Sequence, residues 1–147
     1  MPDRLRPLWD FDDLDASQRR LDAQLEEESD DAGRAEVLTQ LARVKGLRGD
    51  FDACERLLLE AERLAGSSAP AKIRIDLESG RKLRSSGDPA AALPLFEAAF
   101  ARASESGEHY LAGDAVHILE VRKRDPANRE AIAFAEEAIQ SARDALG

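Results

Sequence analysis

Cysteine is all but missing from this sequence. Cys54 stands alone, which excludes an internal disulfide and any zinc site built from several thiolates, and fits a reducing compartment. Aromatic residues make up only 5% of the chain, and the short runs of Val, Ile, Thr and Tyr that mark strands do not occur. No apolar run approaches the roughly 20 residues that cross a bilayer. The opening Met-Pro-Asp-Arg has no apolar signal segment, so a cytoplasmic protein with no membrane partner is expected. A basic run is lacking as well: 30 acidic residues oppose 21 basic ones, for a formal charge of −9. Nonspecific binding to nucleic acid depends on many cation–phosphate contacts, and a nucleic-acid partner is not expected.

Catalytic and cofactor signatures are equally thin. There is no Gly-rich phosphate loop, no Ser/His/Asp set and no zinc ligand cluster, so no cofactor, no metal and no enzymatic activity are expected. The nearest approach is Asp114, His117 and Glu120, spaced i, i+3, i+6 along one helical face. A di-metal carboxylate bundle would need a second acid-x-x-His pair; the only other histidine, His109, has Ser106 at that offset. Asp114 and His117 read better as a polar pair at a helix packing surface, or as part of a groove.

What the chain does have is helix-forming pattern. Its 147 residues are 43% apolar and 35% charged, enough for one all-α domain with a sizeable core. Residues 38–64 read as two short helices. Leu38, Leu41, Ala42 and Val44 line one side of the first, and Phe51, Cys54, Leu58 and Ala61 one side of the second. Between them Gly49 suits a left-handed C-cap and Asp50 an N-cap. Neither helix buries its stripe alone, so the unit has to stack on further copies. Residues 1–13, with two prolines, Trp9 and Phe11, form an irregular acidic lead-in. Asp13 or Asp15 caps a helix to about Ser29, and residues 30–33 are a break. Residues 66–70 (Gly-Ser-Ser-Ala-Pro) form a linker. A second hairpin follows, turning at Gly87-Asp88-Pro89, with Ala92, Leu95, Phe96, Ala99 and Phe100 on its buried side and Pro94 bending its second helix. Residues 104–108 are another break. A third hairpin spans about 108–146. The single domain is thus 14–147, with hairpins about 34–64, 71–103 and 108–146.

The turn glycines Gly49 and Gly87 lie 38 residues apart, a period of about 34 with a longer linker. With Leu38, Leu41, Ala42, Lys45, Gly49, Phe51, Cys54, Leu58 and Ala61 in one unit, and Gly80, Gly87, Ala92, Phe96 and Ala99 at the same spacings in the next, the chain resembles the tetratricopeptide repeat (TPR) family. Ala131, Ala135 and Ala138 continue the pattern in a third. It departs from the family where Lys45 replaces an aromatic and where Asp76 and Ser79 take large apolar slots. The resemblance implies a right-handed stack of about three hairpins over residues 34–147 behind an N-terminal helix. It also implies that the first helix of each hairpin lines a concave wall that binds a protein or peptide. Cys54, at a close helix approach, reads as a small buried hydrophobe.

Charge sorts with that expectation. The helix over 34–48 nets +3, that over 71–86 nets +3 and that over 108–124 nets zero, while the second helices sum to −3, −1 and −2. Residues 1–33 alone carry −7. Arg43 and Arg81 fall at equivalent positions, with Arg74 and Arg84 flanking the second. Arginine's planar fork suits carboxylates. The expected function is therefore non-catalytic binding of an acidic segment in the groove by Arg43, Arg74, Arg81 and Arg84, with His117 as a lesser contact. The asparagine-containing clamp of chaperone-binding TPR domains is not matched. The acidic lead-in is either a flexible tail or an internal ligand that folds back. The alternative function is homo-oligomerisation through the terminal helices, because Ile132, Phe134, Ile139 and Leu146 would leave the last helix with an apolar face.

Overall fold

The computed structural model describes residues 3–123, with Gln140 and Asp144 beyond them. The second helix of the third hairpin, and the self-association face expected on it, lie outside the described residues. Residues 3–123 form six α-helices: α1 (Leu14–Glu27), α2 (Asp31–Leu47), α3 (Phe51–Ala65), α4 (Ala69–Ser85), α5 (Pro89–Ser106) and α6 (His109–Lys123). Among the described residues there is no strand. The protein is all-α.

The helix starts follow from short polar side chains. Asp13, Asp30, Asp50, Ser68 and Asp88 each accept a hydrogen bond from the main-chain N–H three residues on, satisfying an otherwise unpaired donor. Each such cap is worth about 1 kcal/mol. The expected break at 30–33 shrinks accordingly: Asp30 caps α2 through the N–H of Gly33, which puts Gly33 inside the first turn. Ser68 likewise pulls Ala69 and Pro70 into α4, where a proline in the first turn loses no bond. Both hairpins turn on a glycine with positive φ, 79° at Gly49 and 104° at Gly87. The following aspartate N–H closes each turn onto the carbonyl five residues back, Asp50 to Lys45 at 2.9 Å and Asp88 to Leu83 at 2.8 Å. α5 runs unbroken to Ser106, with Pro94 on its exposed side, and ends at left-handed Gly107.

α2 packs on α3, α4 on α5, and α2 lies against α4; α3 also meets α4, α5 meets α6, and α4 touches α6. The first helices of successive hairpins are therefore neighbours. One core, with Leu21, Val37, Leu38, Leu41 and Val44, gathers α1 to α4. A second, with Ile73, Leu77, Phe96, Phe100 and Leu119, joins α4 to α6. The tightest crossing is Gly80 over Phe96, where a Cβ on the glycine would meet the ring at 2.5 Å.

Residues 3–11 do not trail into solvent. They make a single 3-10 turn over Arg6–Leu8 and bury Leu5 and Trp9 in the first core. The flexible tail is the reading that the structure corrects. Burying Leu5 and Trp9 contributes about 1.5–3 kcal/mol each, and together with the side-chain bonds of Asp3, Arg4 and Trp9 it offsets an ordering cost of about 1–2 kcal/mol per residue.

Candidate groove on the wall of α2, α4 and α6

The folded-back lead-in lies on the face shared by α2, α4 and α6. A cavity of about 130 Å³ marks the place, lined by Gln40 and Arg43 of α2, Arg74, Glu78 and Arg81 of α4, Tyr110 and Asp114 of α6, and Asp3, Arg6, Trp9 and Phe11 of the lead-in. Three of the expected arginines, Arg43, Arg74 and Arg81, thus line one cavity.

Arg74 is buried at 4% exposure and forms ion pairs with Asp3 of the lead-in and Glu36 of α2. Both carboxylate oxygens of Asp3 accept from the guanidinium, so the contact is bidentate. Burial alone would lower the proton affinity of Arg74, but the two carboxylates outweigh it and raise it. Glu36 also accepts from Arg4 at 2.8 Å, and Arg4 reaches Glu28 at 2.7 Å. Asp3, Arg74, Glu36, Arg4 and Glu28 therefore alternate in sign along one network, to which the lead-in supplies one acid and one base.

Arg81 is paired within the wall. It contacts Glu78, three residues earlier, and Asp114 of α6 at 2.8 Å. Glu78 is 2% exposed, and against the effect of burial the two carboxylates raise the arginine's proton affinity. Asp114 is thus a partner of Arg81 rather than of His117.

Among the described residues Arg43 has no carboxylate partner within ion-pair distance. Its guanidinium sits 5.2 Å from the Trp9 ring centroid and 5.0 Å from that of Phe11, and the two rings stack at 4.8 Å and 8°. Burial lowers its proton affinity. Its Nε and the Oε2 of Glu78, both on residues lining the cavity, are buried with no hydrogen-bond partner. Gln40 completes the aromatic contact, accepting from the Trp9 indole N–H at 3.0 Å.

Arg84 does not line the groove cavity but an adjoining one of about 90 Å³, which Arg43, Glu78 and Arg81 also line, beside Lys82 and Cys54. His117 is exposed on α6 and does not line the groove cavity. Cys54 is buried, and burial pushes its thiol up to about 11, as an inert core residue requires. Sequence reasoning passed over Asp3, Gln40, Glu78 and Tyr110. The usable signal was the offset between hairpins: 38 residues relate Gln40 to Glu78 as they relate Arg43 to Arg81.

Fold and site together define an all-helical protein whose α2, α4 and α6 hold an acidic and aromatic segment of its own chain. No protein-family model, curated protein or solved structure matches the chain. Among the described residues no group of three or more His, Cys, Asp or Glu is placed to hold a metal ion, and no helix is long and apolar enough to cross a membrane.

Proposed function

We propose that the protein is a non-catalytic binding module: a TPR-like right-handed stack whose concave wall of α2, α4 and α6 takes an acidic peptide or protein segment in the cytoplasm. One observation carries this reading: the wall already holds a short turn-forming segment, residues 3–11, by a bidentate arginine–carboxylate contact and an aromatic seat. Arg74 supplies the carboxylate fork, and Arg43 with Gln40 supplies the aromatic seat. Arg81 is neutralised by Glu78 and Asp114 and fixes α4 against α6, a supporting rather than a contacting role. Arg84 and His117 stand outside this reading. The repeat spacing and the adjacency of α2 and α4 support the TPR-like arrangement.

The test is a display selection of acidic 13-residue peptides against the full chain, followed by amide chemical-shift mapping. Shifts grouped on residues 36–43, 74–81 and 110–114 are expected. A selection that yields no binder, or shifts grouped on α3 and α5, would overturn the reading.

A further inference from the structure

We propose that residues 3–11 are a resident copy of the ligand. On this view the wall recognises partner segments bearing an aspartate, a leucine two residues on and a tryptophan four further on, and the lead-in competes with them for the same seat. The inference rests on the binding reading above and names the partner's chemistry.

The lead-in docks as a ligand does. Between residues 3 and 9 its main-chain hydrogen bonds close within the segment: Arg6 N–H to Asp3 O, Leu8 to Leu5 O, Trp9 to Arg6 O, and Leu5 to the Asp3 side chain. Its polar links to the helices run through side chains alone, Asp3 to Arg74, Arg4 to Glu28, Glu36 and the Gly33 carbonyl, and Trp9 to Gln40. Lifting it away therefore breaks no main-chain ladder.

Arg74 and Arg81 of α4 keep acids without it, whereas Arg43 gives up the Trp9 and Phe11 rings that it faces. Arg74 retains Glu36 at 3.0 Å, and Arg81 retains Glu78 and Asp114. Asp10 supplies the pivot. It is tied to α1 at both main-chain groups by Ser17, at 2.8 Å in each direction, so release of residues 3–9 leaves α1 and its cap in place. Leu5 and Trp9, at 1% and 9% exposure, are the two apolar plugs. A partner has to replace them, which is why the segment it offers needs an aliphatic and an aromatic at the same spacing. A tethered segment faces its seat at an effective concentration on the order of millimolar. A free segment with the same contacts then gains access only in proportion to the fraction of chains with the lead-in released.

The experiment measures a fluorescein-labelled synthetic peptide of residues 1–13 by anisotropy against the full chain, wild type and Asp3→Asn. The variant weakens the resident segment and leaves Arg74 for the peptide's own aspartate. Binding to Asp3→Asn about tenfold tighter than to wild type is expected, and a peptide with its own aspartate and tryptophan replaced by alanine should lose that binding. Equal binding to the two chains, or equal binding of the replaced peptide, would overturn the proposal. Selected acidic peptides that occupy the wall of the wild type without moving Trp9 emission would also overturn it, while leaving the binding reading in place. A wild-type dimer dissolved by the peptide would assign the seat to a second copy of the chain and overturn it as well. Should Asp3→Asn lose its helical circular dichroism, urea titration of the wild type decides. Trp9 is the only tryptophan, so its emission should shift at lower urea than helix loss, and coincident midpoints would make the lead-in part of the core.

Discussion

Two arginines stand at equivalent places in the two hairpins, Arg43 in α2 and Arg81 in α4, and they are handled in opposite ways. Three residues before Arg81 is Glu78; three residues before Arg43 is Gln40. The carboxylate pairs with its arginine and, with Asp114, raises its proton affinity against burial. The amide cannot pair with a charge, so Gln40 accepts from Trp9 instead and Arg43 turns to the aromatic rings, its proton affinity lowered by burial. One side-chain oxygen traded for an amide nitrogen thus separates a closed part of the wall from a part that seats a segment. The lesson is that positive charge counted along a helix does not measure positive charge offered to a ligand.

The sharpest way to break this comparison is to exchange the two residues. Glu78→Gln leaves Arg81 largely buried with Asp114 as its only acid, and should cost about 3 kcal/mol in urea denaturation, the low end for breaking a buried pair. Gln40→Glu puts a carboxylate at a buried position three residues before Arg43, where desolvation and the new ion pair oppose each other, and should cost less than Glu78→Gln. Equal costs for the two substitutions would show the positions to be interchangeable.

The hairpins also differ where their helices cross. Ala42 and Gly80 are equivalent, but the ring of Phe96 fills the space a methyl group would need in the second hairpin. Gly80→Ala should therefore destabilise by about 1–3 kcal/mol through overpacking, and adding Phe96→Leu should recover part of that loss. Ala42→Gly should cost about 2 kcal/mol, the helix-propensity difference plus one buried methyl, and, unlike Gly80→Ala, it should gain nothing from Phe96→Leu. Thermal or urea unfolding checks all three, and a harmless Gly80→Ala would show that the ring moves aside.

Much of this was legible in the sequence because it is local. The turn glycines, the aspartate caps and the stripes of α2 to α5 each declare themselves within about four residues. That Arg43 and Arg81 share a face is expected from their equivalent positions and from the resemblance to TPR arrays. What escaped was non-local. Asp3 meets Arg74 across 71 residues, and nothing in an acidic, proline-containing run without periodicity signals that Leu5 and Trp9 are core residues. The neutralising acids escaped for a different reason: Glu36 and Glu78 were counted in the helix charges, but a sum does not say which carboxylate reaches which guanidinium. Arg84 shares the charge and neighbourhood of Arg81, yet lies three residues further round and lines another cavity.

Acid should distinguish the two regions by a smaller effect. Near the lead-in, the hydrogen bond from Arg4 holds the Glu28 carboxyl below its ordinary value of 4.5. A carboxylate depressed in the folded state lends its stability in full above that ordinary value and loses it as pH falls through the folded one. In the second hairpin the sign is opposite: burial raises Asp76 above its ordinary 3.8 despite Arg102, so protonation there favours the folded state. Lowering the pH should therefore loosen the lead-in while α4 and α5 hold. Arg4 is 42% exposed, so the Glu28 contribution is at most about 1 kcal/mol. On acid titration Trp9 emission should shift before helicity falls, and Glu28→Gln should remove the early shift. Emission and helicity changing together in both chains would place the lead-in and the hairpins in one cooperative unit.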